Sequence, residues 1–298
     1  MKKIFFIINP ISGKKKKEFL AEEIPQYFPE SDFEIEIHYT ERAGHGGELA
    51  QAAVKRGFDV VVAVGGDGTI NEVGAQLVHT STALGILPLG SGNGLAHHLH
   101  IPIQPQKALA YLKNHLDKIS VIDACTINDK IFFSIAGIGY DAKVAYDFNH
   151  GNQRGFAGYF HHILKDYFTY KYENYILNCD GQEMERHAFF ITLANSSQWG
   201  YNVQIQPKAS LSDGLLDVCI AKKPQSITLP VMVASLLANK IDHRNLIEYL
   251  QCKTLTIATH EELPLYWHVD GDAMEPTTHI EIKLLEQALR IVGSEKKY

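Results

Sequence analysis

A chain of 298 residues has room for one large domain or for two, and 45% hydrophobic with 21% charged residues is the balance of an ordinary globular protein. The formal net charge of −6 gives no support to nucleic-acid binding, which needs a positive field. Four widely spaced cysteines (Cys125, Cys179, Cys219, Cys252) with no CxxC pair read as reduced core thiols of a cytoplasmic protein, and the histidine groups at 97–100 and 161–162 lack the partners of a metal site.

The chain opens MKKIFFIINPISG, where the apolar run stops at Asn9-Pro10; it is too short for a signal peptide and predicts a strand over residues 3–8. A helix follows over 14–27, and its Lys14–Lys17 run points all round the axis as a solvated face. Strand 33–39, helix 46–56, strand 59–64, helix 70–79, strand 84–87 and a helix within 104–116 continue the alternation. Strands alternating with helices predict a Rossmann-like, doubly wound parallel sheet. Nearly all-apolar strands (IFFII, VVVAV, LGIL) suit a sheet covered on both faces.

Near Ile119 the pattern changes. Residues 121–127 and 131–135 read as two strands, as do 175–179 and 183–193 about Asp180-Gly181, a dipeptide suited to a two-residue hairpin. Further strands are expected at 215–221, 254–258, 265–269 and 279–284, with helices only at 157–170 and 229–237. The fold class expected is α/β plus all-β: an N-terminal α/β domain over 1–120 and an antiparallel β-sandwich or barrel over 121–285. No window reaches the ~20 apolar residues of a membrane span; the longest, 227–238, contains Pro230.

The chemistry gathers in glycine-rich turns after the parallel strands, where an α/β sheet forms its ligand crevice. Gly65-Gly66-Asp67-Gly68-Thr69 ends one strand and opens a helix, so its amides and the helix dipole favour phosphate. Asp67 would be repelled there unless a divalent cation intervenes; it could hold magnesium, steer an acceptor hydroxyl, or, like Thr69, simply cap the helix. In the second loop, Gly90-Ser91-Gly92-Asn93-Gly94, Ser91 and Asn93 can donate to phosphate or ribose. Asn9-Pro10-Ile11-Ser12-Gly13 and Thr40 fall on the same sheet edge.

The motifs Asn9-Pro-x-Ser-Gly13, Gly65-Gly-Asp-Gly-Thr-x-Asn71-Glu72 and Leu89-Gly-Ser-Gly-Asn93-x-Leu-Ala96 resemble the lipid kinases of the diacylglycerol kinase and sphingosine kinase superfamily. Asn195, the run Pro207-x-Ala209…Asp213-Gly-Leu-Leu-Asp217 and Val269-Asp270-Gly271-Asp272 extend the similarity over nearly the whole chain. Two positions depart from the bacterial diacylglycerol kinase pattern: Asn93-Gly94 stands for Asn-Asp, nearer the sphingosine kinase branch, and Asp272 stands for the Glu of Asp-Gly-Glu.

The resemblance implies a nucleotide-binding domain, a sandwich supplying the lipid side of the cleft, and a tail at about 286–298 returning to the first domain. It implies ATP along Asn9, Pro10, Ser12, Gly13, Thr40, Gly65 to Thr69 and Ser91-Gly92-Asn93, with Asn71 and Glu72 completing the motif. It further implies a structural Mg2+ on Asp213 with backbone carbonyls of Ser210 and Leu215. Asp272 would be the general base on a lipid hydroxyl, Asp67 would assist through metal or acceptor, and Asp270 would support either or make the turn. The lipid would be met peripherally at a membrane surface, with residues 155–160, Ile163, Leu164, Tyr167 and Phe168 as a candidate apolar face. A homodimer is compatible with this reading. NAD kinase shares the Gly-Gly-Asp-Gly-Thr loop and is the rival enzyme, although Asn71-Glu72 and the Asn9–Gly13 loop favour the lipid branch; a non-catalytic nucleotide- or lipid-binding regulator is the rival of another class.

Overall fold

The computed structural model describes residues 1–13, 18–150, 167, 170, 173–200, 203–223 and 246–293. Strands β1 (Lys2–Ile8), β2 (Phe33–Tyr39), β3 (Val60–Gly65) and β4 (Ala83–Pro88) run parallel in the order β2-β1-β3-β4. Their side chains alternate between two cores. Phe5, Ile7, Val61 and Ala63 face α2 (His45–Lys55) and α3 (Asp67–Ala75), while Ile4, Phe6, Val60 and Val62 face α1 (Glu18–Tyr27) and α5 (Pro105–His115). Each fully buried aliphatic residue contributes about 1.5–3 kcal/mol, so the strand ends from which the loops emerge are held rigidly. The order 2-1-3-4 puts the topological switch between β1 and β3.

The large sheet does not stop at β4. Strand β18 (His279–Val292) meets β4 in parallel at Ile291↔Leu84 and lies antiparallel to β5 (Ile119–Ile127), which in turn pairs with β6 (Lys130–Phe132). The other end of β18 pairs with β15 (Thr254–Thr259), followed by β8 (Glu173–Cys179) and β9 (Gln182–Ala188). One ten-stranded sheet therefore runs through both halves of the molecule. A second, six-stranded sheet is wholly antiparallel, in the order β14 (Ile247–Cys252), β13 (Leu216–Ala221), β10 (Phe190–Ala194), β7 (Ile135–Gly139), β16 (Trp267–Val269), β17 (Asp272–Ala273). Ile138, Ile191, Leu193 and Val218 of this sheet pack on Leu177, Leu255, Ile257 and Ile280 of the first, forming a sandwich. The α/β plus all-β reading is what the structure shows.

Several element expectations change in detail. The strand expected over 131–135 is broken at Phe133-Ser134, where the chain crosses from one sheet to the other. The strand expected over 183–193 divides at Phe189 for the same reason. The last strand continues to Val292, passing the polar Glu286-Gln287 through a register shift with Gln287 at φ 49°. Helix α6 (Tyr140–His150) was not anticipated, nor were β14 and the short pair β11 (Gln198–Gly200) and β12 (Val203–Gln204). Helix α3 begins at Asp67 rather than near Ile70, because extended Gly66 takes the N-cap position. The expected helix at 229–237, the lysine run 14–17 and nearly all of the aromatic face at 155–168 lie outside the described residues. Tyr167 of that face is described; it is buried beside Tyr140 and Phe189, in the core. Among the described residues no helix is long and apolar enough to cross a membrane.

Candidate active site

Three loops meet at the carboxyl end of the parallel strands. The loop after β3 and the loop after β4 touch backbone to backbone: a Cβ on Gly90 would stand 2.4 Å from the Gly66 Cα, so no larger residue fits at this crossing. The loop after β1 lies beside them. Asn9 joins it to β3 through its amide on the Val64 carbonyl, and its side-chain Nδ2 donates to Thr69 Oγ1 at 3.0 Å. Ser12 Oγ donates to the Asn9 carbonyl at 3.2 Å, and the Thr40 amide bonds to the Ile8 carbonyl. Pro10, Ser12, Gly13, Thr40 and the exposed Ser91 thus share one sheet edge with Gly65, Gly66 and Gly68.

Asp67 does not cap its own helix. Its Oδ2 accepts the Asn93 amide and its Oδ1 the Gly94 amide, both at 2.7 Å, at the start of α4 (Gly94–His98). The carboxylate therefore ties the two glycine loops together, and each oxygen keeps a lone pair for a cation. Burial raises its pKa, against the pull of the two amides. Thr69 is not a cap either, since its hydroxyl accepts from Asn9.

Asn93 is engaged within its own loop. It is buried at φ 52°, and its side chain both accepts from the Gly90 amide and donates to the Gly90 carbonyl, at 2.9 Å each. Its side-chain amide shapes the loop. Asn71 and Glu72 likewise face the interior: Asn71 Nδ2 donates to the Ile131 carbonyl at 2.8 Å and to Asp270 Oδ2 at 3.0 Å, and Glu72 accepts the Gly47 amide at 3.3 Å.

The second half supplies the opposite wall. Val269↔Asp272 pairing closes a two-residue turn in which Asp270 (φ 48°) and Gly271 (φ 91°) both have positive φ, the hairpin geometry that Asp-Gly favours. Asp270 accepts the Ile135 amide and the Asn71 side chain at 3.0 Å each, bridging the two halves of the chain. Burial, then the nearby Asp67, push its pKa up to about 7 against those hydrogen bonds. Asp272 reaches across: its Oδ2 lies 3.3 Å from where a Cβ on Gly68 would stand, over the first turn of α3. Its pKa is raised, first by burial and then by Asp67. No hydrogen bond from a described residue engages its carboxylate, in contrast to Asp67 and Asp270. A carboxylate with a raised pKa and no hydrogen bond from a described residue is suited to accepting a proton.

Away from this cleft, Ser210, Asp213 and Leu215 share one loop. Asp213 Oδ1 accepts the Leu215 amide at 3.1 Å, and the Gly214 amide donates to Asp123 Oδ2 at 2.9 Å. Asp123, which the sequence reading did not single out, is buried and also accepts the Gln287 amide at 2.7 Å. It braces this loop against the β18 register shift. A lone acid inside the apolar run VIDACTI was its one signal. Among the described residues no three His, Cys, Asp or Glu side chains are grouped as a metal site. The loop instead offers one carboxylate and backbone carbonyls, a hard-oxygen set of the kind that suits a magnesium ion keeping several waters.

Two domain families match in succession: the diacylglycerol kinase catalytic domain over residues 3–124 and the YegS C-terminal NAD kinase β-sandwich-like domain over residues 134–293. The chain belongs to the diacylglycerol kinase family. It is 30% identical over 274 residues to a probable lipid kinase YegS-like protein of Chromohalobacter salexigens, covering 89% of this chain and 86% of that one. It is also 30% identical over 281 residues to a diacylglycerol kinase of Bacillus subtilis, covering 91% and 90%. Its fold is that of a crystallised diacylglycerol kinase of Bacillus anthracis, with TM-score 0.77 at 21% identity over 98% of this chain and 97% of that chain.

Proposed function

We propose that the protein transfers the γ-phosphoryl group of ATP to a hydroxyl of a diacylglycerol-like or sphingoid-like lipid in the cleft between Asp67 and Asp272. The observation that carries this reading is the convergence of two glycine loops on one side and an uncommitted Asp272 on the other. Glycine amides and the α3 N-terminus hold the triphosphate, as anions are held at helix starts. Ser12, Thr40 and Ser91 supply further donors at the same edge.

Phosphoryl transfer asks mainly for positioning and charge neutralisation. Asp67 would hold a Mg2+ ion brought in with the nucleotide, which would supply charge to offset the phosphates. Asp272 takes the proton from the acceptor hydroxyl as the acceptor oxygen bonds the γ-phosphorus and the bond to the β–γ bridging oxygen breaks, releasing ADP. Asp270 keeps Asp272 facing α3 by tying the turn to Ile135 and Asn71. The Asp213 carboxylate, with the Ser210 and Leu215 carbonyls, would hold a second, structural Mg2+ that stiffens this loop. The nucleotide domain comprises residues 1–120 with about 286–298 returning, and residues 121–285 form the lipid-binding sandwich. The protein works in the cytoplasm and meets its substrate at the membrane surface.

Incubation with labelled ATP and Mg2+, together with either a total lipid extract or NAD, tests the reading. Label is expected in a lipid, and EDTA is expected to abolish it. Label in NAD would point to the NAD kinase alternative, and bound nucleotide with no transfer at all to a non-catalytic regulator.

A further inference from the structure

Beside the Asp270-Gly271-Asp272 turn lies a buried pair that the reaction scheme above does not use. His268 is 5% and Asp141 11% exposed at the side chain, and His268 Nε2 stands 3.2 Å from Asp141 Oδ2. The Gly271 amide, at the apex of the turn, donates to His268 Nδ1 at 3.4 Å. Since Nδ1 accepts, the ring proton sits on Nε2 and is donated to Asp141. Asp141 is itself fixed at the start of α6, where its Oδ1 accepts the Ala142 amide at 2.9 Å. A continuous chain of contacts therefore runs from helix α6 through Asp141 and His268 to the backbone between the two acids.

The room for this pair is built into the sheet. Gly137 of β7 lies directly opposite His268 in the β16–β7 register, and a Cβ there would stand 2.2 Å from His268 Nε2 and 2.5 Å from Asp141 Oδ2. Alternation along β16 explains the direction of the ring: Trp267 and Val269 enter the sandwich core, so His268 points out of it, toward α6. A buried imidazole on a carboxylate is costly as mere filling. Here it contacts the backbone of the one turn that carries the proposed base.

Resting on the proposed phosphotransfer, we infer that His268 is a positioning residue and Asp141 its orienter: together they fix the turn so that Asp272 meets the acceptor hydroxyl. The arrangement acts on where the base sits, so it bears on the chemical step and leaves nucleotide binding to the glycine loops.

The two ring nitrogens can be tested separately. Asparagine can place an oxygen near Nδ1, and glutamine an N–H near Nε2. Misplacing a reacting group by about 1 Å costs on the order of 10²-fold, and His268→Ala is expected to lower kcat by roughly this factor with an unchanged KM for ATP. His268→Asn, which keeps an acceptor for Gly271, should recover most of that loss, and His268→Gln less. Asp141→Ala combined with His268→Ala should be no worse than His268→Ala alone, because the two act as a unit. Hydrogen exchange gives a readout independent of activity. Amides over 268–273 should lose protection in His268→Ala while those of α3 keep theirs.

Unchanged kcat in a folded His268→Ala protein, equal losses in the alanine and asparagine variants, or unaltered exchange over the turn would each overturn the inference. A wild-type protein that phosphorylates no lipid would overturn the functional reading instead, and the exchange measurement would still judge the pair.

Discussion

At the residue scale the candidate site holds three acids in two different states. Asp67 and Asp270 spend their oxygens on backbone amides and Asn71, whereas Asp272 is open to the cleft. The burial of Asp270, with Asp67 nearby, has a cost that depends on pH. Asp270 titrates near 7 in the fold, well above an unfolded aspartate. Between about pH 4 and 7 the unfolded chain has lost this proton and the native one retains it, so folding stability falls as pH rises through that window. Thermal unfolding from pH 4 to 8 should therefore show a shallower decline in Asp270→Asn than in the wild type. An identical slope in the two proteins would show that this side chain ionises normally.

The residue types of the site were legible in the chain: Gly-Gly-Asp-Gly-Thr, Gly-Ser-Gly-Asn and Asp-Gly-Asp announce phosphate, loop and acid. Which of them face a ligand was not, because direction depends on tertiary partners. Asn93 turns onto Gly90, Asn71 onto Asp270, and Glu72 onto Gly47, all set by residues distant in sequence or hidden in the turn geometry. Asp123, Asp141 and His268 carried almost no signal, each being a single polar residue in an apolar or mixed run.

At the scale of elements, the glycine loops act as one unit. The crossing of Gly66 and Gly90 has no space for a methyl group, and the displaced atoms would be backbone. Gly90→Ala should then destabilise the protein by about 1–3 kcal/mol, the usual cost of overpacking, and weaken ATP binding, as read by thermal melting and nucleotide titration. A variant with wild-type Tm and affinity would mean that the loops do not cross as closely as described. Strand and helix identities through β4 followed from apolar runs and glycine punctuation. Beyond Ile119 the same cues misjudged continuity: runs 131–135 and 183–193 look like single strands because crossing from sheet to sheet leaves no mark in hydropathy.

For the whole molecule, the two halves are bound by a shared sheet and by side chains that cross between them. β18 leaves the sandwich, passes the register shift at Leu285/Leu289, and reaches β4 of the parallel sheet. Asn71 of α3 meets Asp270 of the β16–β17 turn, so the glycine-loop side and the acid side are positioned by direct contact. The continuity of one sheet through both halves could not be read from a pattern that changes near Ile119, since pairing partners are not encoded locally. It gives the cleft fixed walls, with the loops after β1, β3 and β4 on one and Asp272 on the other.

The central claim is that Asp272 accepts the acceptor's proton in that cleft. It is tested most directly by single-turnover phosphorylation of the lipid acceptor that becomes labelled, comparing wild type, Asp272→Ala and Asp272→Glu at equal nucleotide occupancy. Loss of a positioned base should slow the alanine variant by about 10²–10⁴-fold, with folding and ATP affinity preserved and substantial activity in the glutamate variant. An alanine variant that turns over at the wild-type rate would contradict the account.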